Sequence, residues 1–281
     1  MTKIGYRKFK YNEDVFLNED NISYYLLGAF MSDGCVYILK GTENKLVSLY
    51  SNDKQWVDDI NELISPNKPL FIQRKTCYFV QYSSNNIADW LIKNNCVPKK
   101  SSVLQFPPNI PKEYIGDFLR GCWDGDGSIS FHKKTTNYRA YLASGSKIFC
   151  EQVRDSLLIN FNIKSLIAER KIPERKIKER ILKPTISWTL IINRRDDVYN
   201  FLKLIYPNNF KLCLKRKYKI ALEIIKDHEM KFYCKDCKIE ISRAKNGIKE
   251  RCSDCAKKQS KKLHKEKYEL KKKNKILLLV K

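Results

Sequence analysis

The sequence lacks long hydrophobic runs. Its first residues, MTKIGYRKFKYNED, contain no apolar segment of the kind that a secretory signal peptide requires. The longest late apolar run, ILLLV at 276–280, is far shorter than the roughly 20 residues of a membrane-spanning helix. We therefore expect a protein that is not secreted and has no membrane partner. Its expected location is the cytoplasm, in association with the nucleoid, or an organelle matrix.

A disulfide framework is also lacking, although the chain has ten cysteines. Four of them form two Cys-x-x-Cys pairs, CKDC at 234–237 and CSDC at 252–255. The other six are isolated among apolar neighbours and are expected to be small buried residues, at positions 35, 77, 96, 122, 150 and 213. This distribution is typical of a reducing compartment.

Acidic residues are too few to balance the basic ones. The chain has 31 Asp and Glu against 55 Lys and Arg, a net charge of +24. Such an excess favours a polyanionic partner, nucleic acid first and an anionic membrane surface second. A lysine-rich background composition is the alternative explanation for part of it. Hydrophobic residues make up 43% of the chain, enough for a substantial core.

The stretch FLRGCWDGDGSIS at 118–130 predicts a helix that runs directly into a strand. Gly121 lies inside the predicted helix, where glycine costs about 1 kcal/mol relative to alanine unless another backbone approaches it closely. Asp124 and Asp126 lie at the C-terminal end, where the helix dipole disfavours carboxylates. A cation bound there would reverse that penalty.

The same pattern occurs earlier, in YLLGAFMSDGCV at 25–36. Gly28 and Asp33 precede Gly121 and Asp126 by the same offset, 126 − 33 = 93 residues. Farther on the offset is 111, because about 18 extra residues, mostly in the basic segment 171–183, lie in the second copy. The chain is thus an internal duplication.

Hydrophobic periodicity predicts the order α-β-β-α-β-β-α in each copy, an α+β fold. We predict an N-terminal extension at 1–20, a first repeat at 21–105, a second repeat at 106–229 and a C-terminal module at 230–281. In this module, Cys234, Cys237, Cys252 and Cys255 would supply four thiolates to one structural Zn²⁺. A thiol redox pair is the alternative. The lysine-rich tail at 257–281 is expected to be a helix or a disordered arm on DNA.

Two glycine-bearing helices related by a duplication can pack together about a pseudo-twofold axis. Gly28 and Gly121 would allow close approach, and Asp33 and Asp126 would then meet at the bottom of the helix pair. Paired carboxylates that hold Mg²⁺ are suited to phosphodiester hydrolysis. The two hairpins of each copy would form a curved sheet beside the axis, leaving a groove for duplex DNA.

The two stretches LLGAFMSDG and LRGCWDGDG resemble the paired signature motifs of the LAGLIDADG homing endonucleases, in the single-chain, two-motif form. The resemblance covers about residues 21–229. It implies pseudo-symmetric repeats packed through the two motif helices, with a saddle of antiparallel sheets over DNA. It also implies a monomer, encoded by a mobile intron or free-standing in a phage or organelle genome. This enzyme would cleave both strands of a long asymmetric site with Mg²⁺.

The resemblance also implies residue roles. Asp33 and Asp126 would be the catalytic metal ligands, with Gly34 and Gly127 beside the bound cation. Asp124 aligns with the earlier acid of the motif and is not expected to be catalytic.

Basic residues beside the metals would stabilise the transition state. Lys100 and Lys215 are predicted for this role, with Lys99 and Lys217 as close alternatives. The Gln and Lys common at the end of the second strand are replaced by other pairs, Ser51-Asn52 and Ser144-Gly145. The cysteine module resembles small zinc fingers appended to phage and intron-encoded endonucleases.

Two other functions are compatible with the same fold. One is an intron maturase that binds intron RNA, and the other is a DNA-binding regulator that no longer cleaves. The retained pair of acids favours the endonuclease over the regulator. An intein origin is disfavoured, because the sequence has no terminal His-Asn and no flanking splicing blocks.

Overall fold

The computed structural model describes residues 9–73, 75–133, 137–177, 180–241 and 250–279. A short helix, α1 (Asp14–Leu17), precedes the first copy and buries Phe16. The first copy then comprises α2 (Asn21–Ser32), β1 (Gly34–Ile38), β2 (Lys45–Ser51), α3 (Lys54–Ile64), β3 (Phe71–Gln73), β4 (Cys77–Ser83) and α4 (Asn85–Lys93).

The second copy repeats this order with one insertion. Its elements are α5 (Ile115–Gly125), β5 (Gly127–His132), β6 (Asn137–Ser144), α6 (Lys147–Phe161), β7 (Leu166–Ile172), β8 (Arg175–Ile177), β9 (Arg180–Leu182), β10 (Thr185–Ile192) and α7 (Arg195–Ile205). β8 and β9 form a two-stranded ribbon of their own, so the extra residues are an added hairpin rather than an irregular loop.

Each copy forms a four-stranded antiparallel sheet of the same topology. The strand orders are β1-β2-β4-β3 and β5-β6-β10-β7. Side chains alternate between the two faces of a strand, so one face can pack on the core while the other stays open. The core face of the first sheet carries Val36, Val47, Leu49, Val80 and Tyr82, all buried.

The second sheet is built in the same way. Its core face carries Ile129, Tyr138, Ala140, Leu142, Leu190 and Ile192, all buried. The mixed fold with antiparallel sheets confirms the predicted α+β class.

Helices α2, α4 and α6 begin at side-chain caps. Asp20 accepts hydrogen bonds from the backbone N–H groups of Ile22 and Ser23, and the Ser23 hydroxyl accepts from the Asp20 backbone, so α2 begins with a complete capping box. Ser84 and Ser146 cap α4 and α6 in equivalent fashion, each with its hydroxyl on an N–H three residues later. The starts of these helices are therefore specified locally.

The two glycine-bearing helices, α2 and α5, pack directly against each other. A methyl group on Gly28 would lie 2.8 Å from the backbone nitrogen of Cys122, and one on Gly121 would lie 2.7 Å from that of Ala29. Each distance is shorter than real methyl contacts allow, so only glycine fits at either position. Ala29 and Cys122 are themselves 93 residues apart, so the helix pair has the internal symmetry of the sequence.

The chain divides into two compact units. The first contains both sheets and the helices up to Ile225, and the second contains the chain from Lys226 onward with the His132 and Asn137 ends of one hairpin. The boundary falls within α8 (Lys215–Glu229). In the second unit, β11 (Phe232–Tyr233) and β12 (Glu240–Ile241) form a small hairpin.

Residues 257–279 of the lysine-rich tail belong to one long helix, α9 (Ser253–Leu279). Among the described residues, no helix combines the length and the apolar character needed to cross a membrane.

Candidate functional site

The two predicted metal ligands occupy equivalent places at the ends of the paired helices. Asp33 is the C-cap of α2, and its backbone N–H donates to the Ala29 carbonyl at 3.0 Å. Asp126 is the C-cap of α5 and donates to Cys122, also at 3.0 Å. The carbonyls of both aspartates accept from the neighbouring strand, from Tyr50 at 3.2 Å and from Ala143 at 3.5 Å. The three pairs of positions, Asp33 and Asp126, Ala29 and Cys122, and Tyr50 and Ala143, each differ by 93 residues, so one backbone geometry presents both carboxylates.

Burial and like charge both act on this pair. Burial, and then the charge of Asp126, raise the pKa of Asp33 to about 6. Burial also raises the pKa of Asp126. Each carboxylate lies at a helix C-terminus, where the partial charge of the backbone is negative as well. A divalent cation would relieve all three effects, and oxygen ligands are those that Mg²⁺ prefers, so the donor set fits this ion.

Steric crowding explains why glycine occupies positions 34 and 127. A methyl group at either position would lie 2.6 Å from the Cα atom four residues earlier, of Phe30 or Trp123. The glycines therefore let each strand leave its helix directly over an aromatic residue of the last turn. In addition, the Gly34 carbonyl accepts a hydrogen bond from the ammonium of Lys100.

Two buried lysines surround the carboxylates. Lys100, 8% exposed, donates to the Gly34 carbonyl, one residue beyond Asp33. Lys217, 4% exposed, donates to the last carbonyls of α5, those of residues 123, 124 and 125, at 2.6, 2.8 and 3.1 Å. Both ammonium groups lower the pKa of Asp33 and of Asp126, so each acts on both acids.

The pKa of Lys217 lies closer to neutrality than that of an ordinary lysine. Burial lowers it to about 8, and the neighbouring Asp124 carboxylate opposes part of that decrease. A lysine in this range can exchange a proton near physiological pH, which is typical of functional sites.

Lys215 lies elsewhere. Its side chain is 71% exposed and pairs with Asp59 of α3 at 3.5 Å. Lys217 follows two residues later, about 200° around the helix, and so projects toward the opposite side of α8. The structure thus brings the alternative, Lys217, to the carboxylates and leaves Lys215 on the surface. Lys99 immediately precedes Lys100 and has a left-handed backbone conformation, with φ of 55°.

Asp124 forms a buried network that sequence reasoning missed. Its Oδ2 accepts from the Tyr25 hydroxyl at 2.9 Å and from the Leu214 backbone N–H at 2.8 Å, and its Oδ1 accepts from the Tyr206 hydroxyl at 3.3 Å. Trp56 donates to the Tyr25 hydroxyl at 2.6 Å. One carboxylate therefore joins the first helix of copy one to the segment that leads into α8.

The residue at the corresponding position of the first copy could have indicated this network from the sequence. That position holds Met31, which is 2% exposed and belongs to the hydrophobic core. An ionisable residue at a core position of one copy indicates hydrogen-bond partners that the other copy lacks.

The four cysteines of the second unit form a single cluster. Their sulfur atoms all lie within 4.8 Å of one another. Cys237 Sγ and Cys252 Sγ are 3.7 Å apart, too far for a disulfide and close to the spacing of two thiolates on a tetrahedral Zn²⁺. Cys234 follows β11, and Cys255 lies in the first turn of α9. Backbone N–H groups lower the pKa of Cys234 to about 6.

A comparison with known protein families gives a match over part of the chain. Residues 113–206, which include α5 and the second sheet, match the LAGLIDADG-like domain family. Residues 113–206 are a LAGLIDADG-like domain. The resemblance expected from the two motifs is thereby confirmed. A search of curated proteins gives no match.

Solved structures extend the likeness beyond the LAGLIDADG-like domain. The likeness to the homing endonuclease I-WcaI, solved bound to its DNA recognition sequence, covers 74% of this chain and 91% of I-WcaI, with a TM-score of 0.50 and 19% identity. The likeness to the meganuclease I-AabMI, solved bound to uncleaved DNA, covers 73% of this chain and 89% of the meganuclease, with a TM-score of 0.45 and 14% identity. The likeness to full-length DUF199/WhiA from Thermatoga maritima covers 78% of this chain and 61% of that protein, with a TM-score of 0.44 and 16% identity. At 19% identity, the likeness to I-WcaI shows the fold alone.

Proposed function

We propose that the chain is a site-specific endonuclease that uses a divalent metal to cleave both strands of duplex DNA. The observation that supports it most directly is the meeting of two equivalent helix ends, each with a carboxylate, beside two buried ammonium groups. Mg²⁺ is the metal that suits an all-oxygen site of this kind. By its fold and its two motifs, the protein would be a homing endonuclease, encoded by a mobile intron or free-standing.

In this proposal, Asp33 and Asp126 hold the metal. When bound, a divalent cation polarises the phosphate and makes a coordinated water more acidic. The two carboxylates are positioned through their backbone, since each aspartate is hydrogen-bonded to its own helix and to the adjoining strand. Little reorganisation is then needed on binding.

Lys100 and Lys217 stabilise negative charge on the phosphate. Both ammonium groups are fixed by backbone carbonyls and are largely removed from water, so their effect on a nearby anion is stronger than at the surface. Lys217, with its pKa of about 8, is also suited to supply a proton to the leaving oxygen.

The second unit adds zinc-dependent affinity for nucleic acid. Cys234, Cys237, Cys252 and Cys255 would bind one structural Zn²⁺ and fix the hairpin of this unit to the start of α9. Residues 231–281 contain 18 Lys and Arg against 6 Asp and Glu, half of the excess charge of the chain. Such a surface binds phosphates without regard to base sequence.

The test is Mg²⁺-dependent cleavage of a plasmid that carries the uninterrupted form of the locus encoding the gene. Wild type is compared with Asp33→Asn and Asp126→Asn, which keep the volume of the side chain and remove its charge. Asp59→Asn is the matched control, because Asp59 is a paired acid outside the site. We expect linear product with wild type and control, and loss of at least a thousandfold in rate with the two site variants.

Binding is measured on the same DNA. Retained binding by the two inactive variants places the defect in the chemical step. Tight binding by wild type without any nick in Mg²⁺ or Mn²⁺ would contradict the endonuclease, and preferential binding of the intron transcript would then favour the maturase.

A further inference from the structure

The open faces of the two sheets differ in chemistry. In the first sheet, the described strands place no charged side chain on this face; it carries Tyr37, Tyr50, Phe71 and Phe79 together with small or uncharged residues. Lys45 is the charged residue of β2. It alternates with the residues of the open face, so it lies on the core side of the sheet, and it pairs with Asp89.

Three of these aromatic residues form a ladder across neighbouring strands. The rings of Tyr50 and Phe79 are stacked with centroids 5.1 Å apart, and those of Phe79 and Phe71 with centroids 5.2 Å apart. Each pair occupies directly opposed positions of the sheet register. Phe71 lies on the edge strand and is 49% exposed. The ladder is thus a fixed apolar surface rather than part of the core.

The second sheet presents positive charge on the equivalent face. Arg139 of β6 and Arg170 of β7 are both exposed there. Thr189 of β10 lies between those two strands in the sheet order, and Ser130 lies on the edge strand β5, beyond β6. The Arg139 guanidinium donates to the Tyr141 hydroxyl on the same strand at 3.2 Å.

Duplication makes the two faces equivalent in place. β1 and β2 correspond to β5 and β6 at the same offset as the two carboxylates. An occupant that extends across both carboxylates is therefore placed to contact both faces. The excess of positive charge, +24, favours a polyanion as this occupant over an apolar protein segment. Duplex DNA across both faces is also what the proposed function requires.

Each type of face has a preferred base. Arginine forms a bidentate contact with guanine, whereas apolar side chains contact the methyl group of thymine. From this contrast we propose that the first sheet selects a thymine-rich half-site and the second sheet a half-site containing guanine. The inference rests on the proposed function, and it assigns different base chemistry to the two halves of the target.

The first experiment selects bound sequences from a random duplex library, using the Asp33→Asn/Asp126→Asn double variant to separate binding from cleavage. Thymines of the enriched half-site are then replaced by deoxyuridine, which removes the methyl group and keeps the base pairing. We expect about a fourfold loss of affinity for each methyl that contacts the ladder, the effect of burying one such group. The same replacement in the other half-site is expected to change affinity by less than twofold.

Two variants of one strand connect the effect to the ladder. Phe71→Ala removes a ladder ring, whereas Ile72→Ala changes the adjacent residue, 63% exposed, whose side chain points to the opposite face. Phe71→Ala should abolish the discrimination between thymine and deoxyuridine, and Ile72→Ala should retain it.

The outcomes separate the inference from the proposed function. Failure to enrich any duplex would contradict the proposed function itself. Enrichment of half-sites with the same base preference, or indifference to deoxyuridine, would overturn the inference alone. Preference for an RNA over every duplex would overturn both.

Discussion

Single residues at the helix ends carry a conflict between stability and function. Asp33 has a raised pKa because it is buried beside a second carboxylate. A carboxylate whose pKa is higher in the folded than in the unfolded state favours folding fully at low pH. That contribution is lost as the pH rises from 3.8 through about 6. The metal-free protein therefore becomes less stable over this range, and bound metal restores the loss.

Asp126→Asn is expected to stabilise the metal-free protein at neutral pH. It removes the like charge beside Asp33, and a gain on the order of 1 kcal/mol would raise the Tm by about 2 °C. Thermal melts in chelator at pH 7.5 and at pH 4 test this, with a difference expected only at pH 7.5. Added Mg²⁺ should raise the Tm of wild type and not of the variant. If wild type and Asp126→Asn have the same Tm at pH 7.5 as well as at pH 4, the charges of Asp33 and Asp126 do not repel each other measurably.

Asp124→Met gives the second copy the residue that the first copy has. Because Asp124 holds the Leu214 backbone, we expect this change to release the start of α8 and to expose Lys217. Mild acetylation followed by mass spectrometry measures it. In wild type, Lys217 should react at least tenfold more slowly than Lys215, and in the variant the ratio should approach one.

Asp124→Asn is the control for this change, since its amide oxygen can still accept from Leu214. Unchanged protection of Lys217 in Asp124→Met would show that α8 is held by other contacts, such as the bidentate pair of Arg216 with Asp53.

At the scale of elements, the α2–α5 pair depends on its two glycines. Alanine inside a helix normally stabilises by about 1 kcal/mol relative to glycine. Gly121→Ala should instead destabilise by about 3 kcal/mol or more, because its methyl group would meet the α2 backbone. Urea denaturation gives the free energy of unfolding. A neutral or stabilising result would mean that the helices can separate without cost.

The duplication explains which elements could be predicted from sequence. The helices and hairpins of both copies follow from the shared 93-residue offset, which also made Asp33 and Asp126 equivalent. Beyond the inserted ribbon the offset changes to 111, and the segments that carry the lysines have no counterpart of equal length. Sequence alignment therefore could not decide between Lys215 and Lys217, because the choice depends on the rotational phase of α8.

The hydrogen-bond network of Asp124 could not be predicted for a different reason. Its partners, Tyr25, Tyr206 and Leu214, lie 99, 82 and 90 residues away along the chain. No local pattern indicates such contacts.

At the scale of the whole molecule, zinc and salt report on the second unit. We expect one Zn²⁺ per chain, released by a thiol-modifying reagent and measured with a chromogenic chelator. Cys237→Ser should lower this content and unfold the unit, because a module of this size has little core without its metal. Limited proteolysis should then cut within residues 231–279 and leave the first unit intact.

Salt dependence measures how many phosphates the second unit contacts. Affinity for DNA falls with salt in proportion to the number of phosphates neutralised. Removal of residues 231–281 should therefore flatten the salt dependence while preserving the base preference. An unchanged slope would show that the lysines of this unit stay in solvent.

The contacts of Asp124 and Arg216 cross from the second repeat to the first, and this has a practical consequence. If the backbone is cut in the exposed linker after Pro108, one fragment keeps Tyr25, Asp53 and Lys100, and the other keeps Asp124 and Lys217. Neither fragment then contains a complete set of hydrogen-bond partners or a complete pair of carboxylates. The two fragments are therefore suited to a complementation assay, in which activity returns only when both are expressed in the same cell.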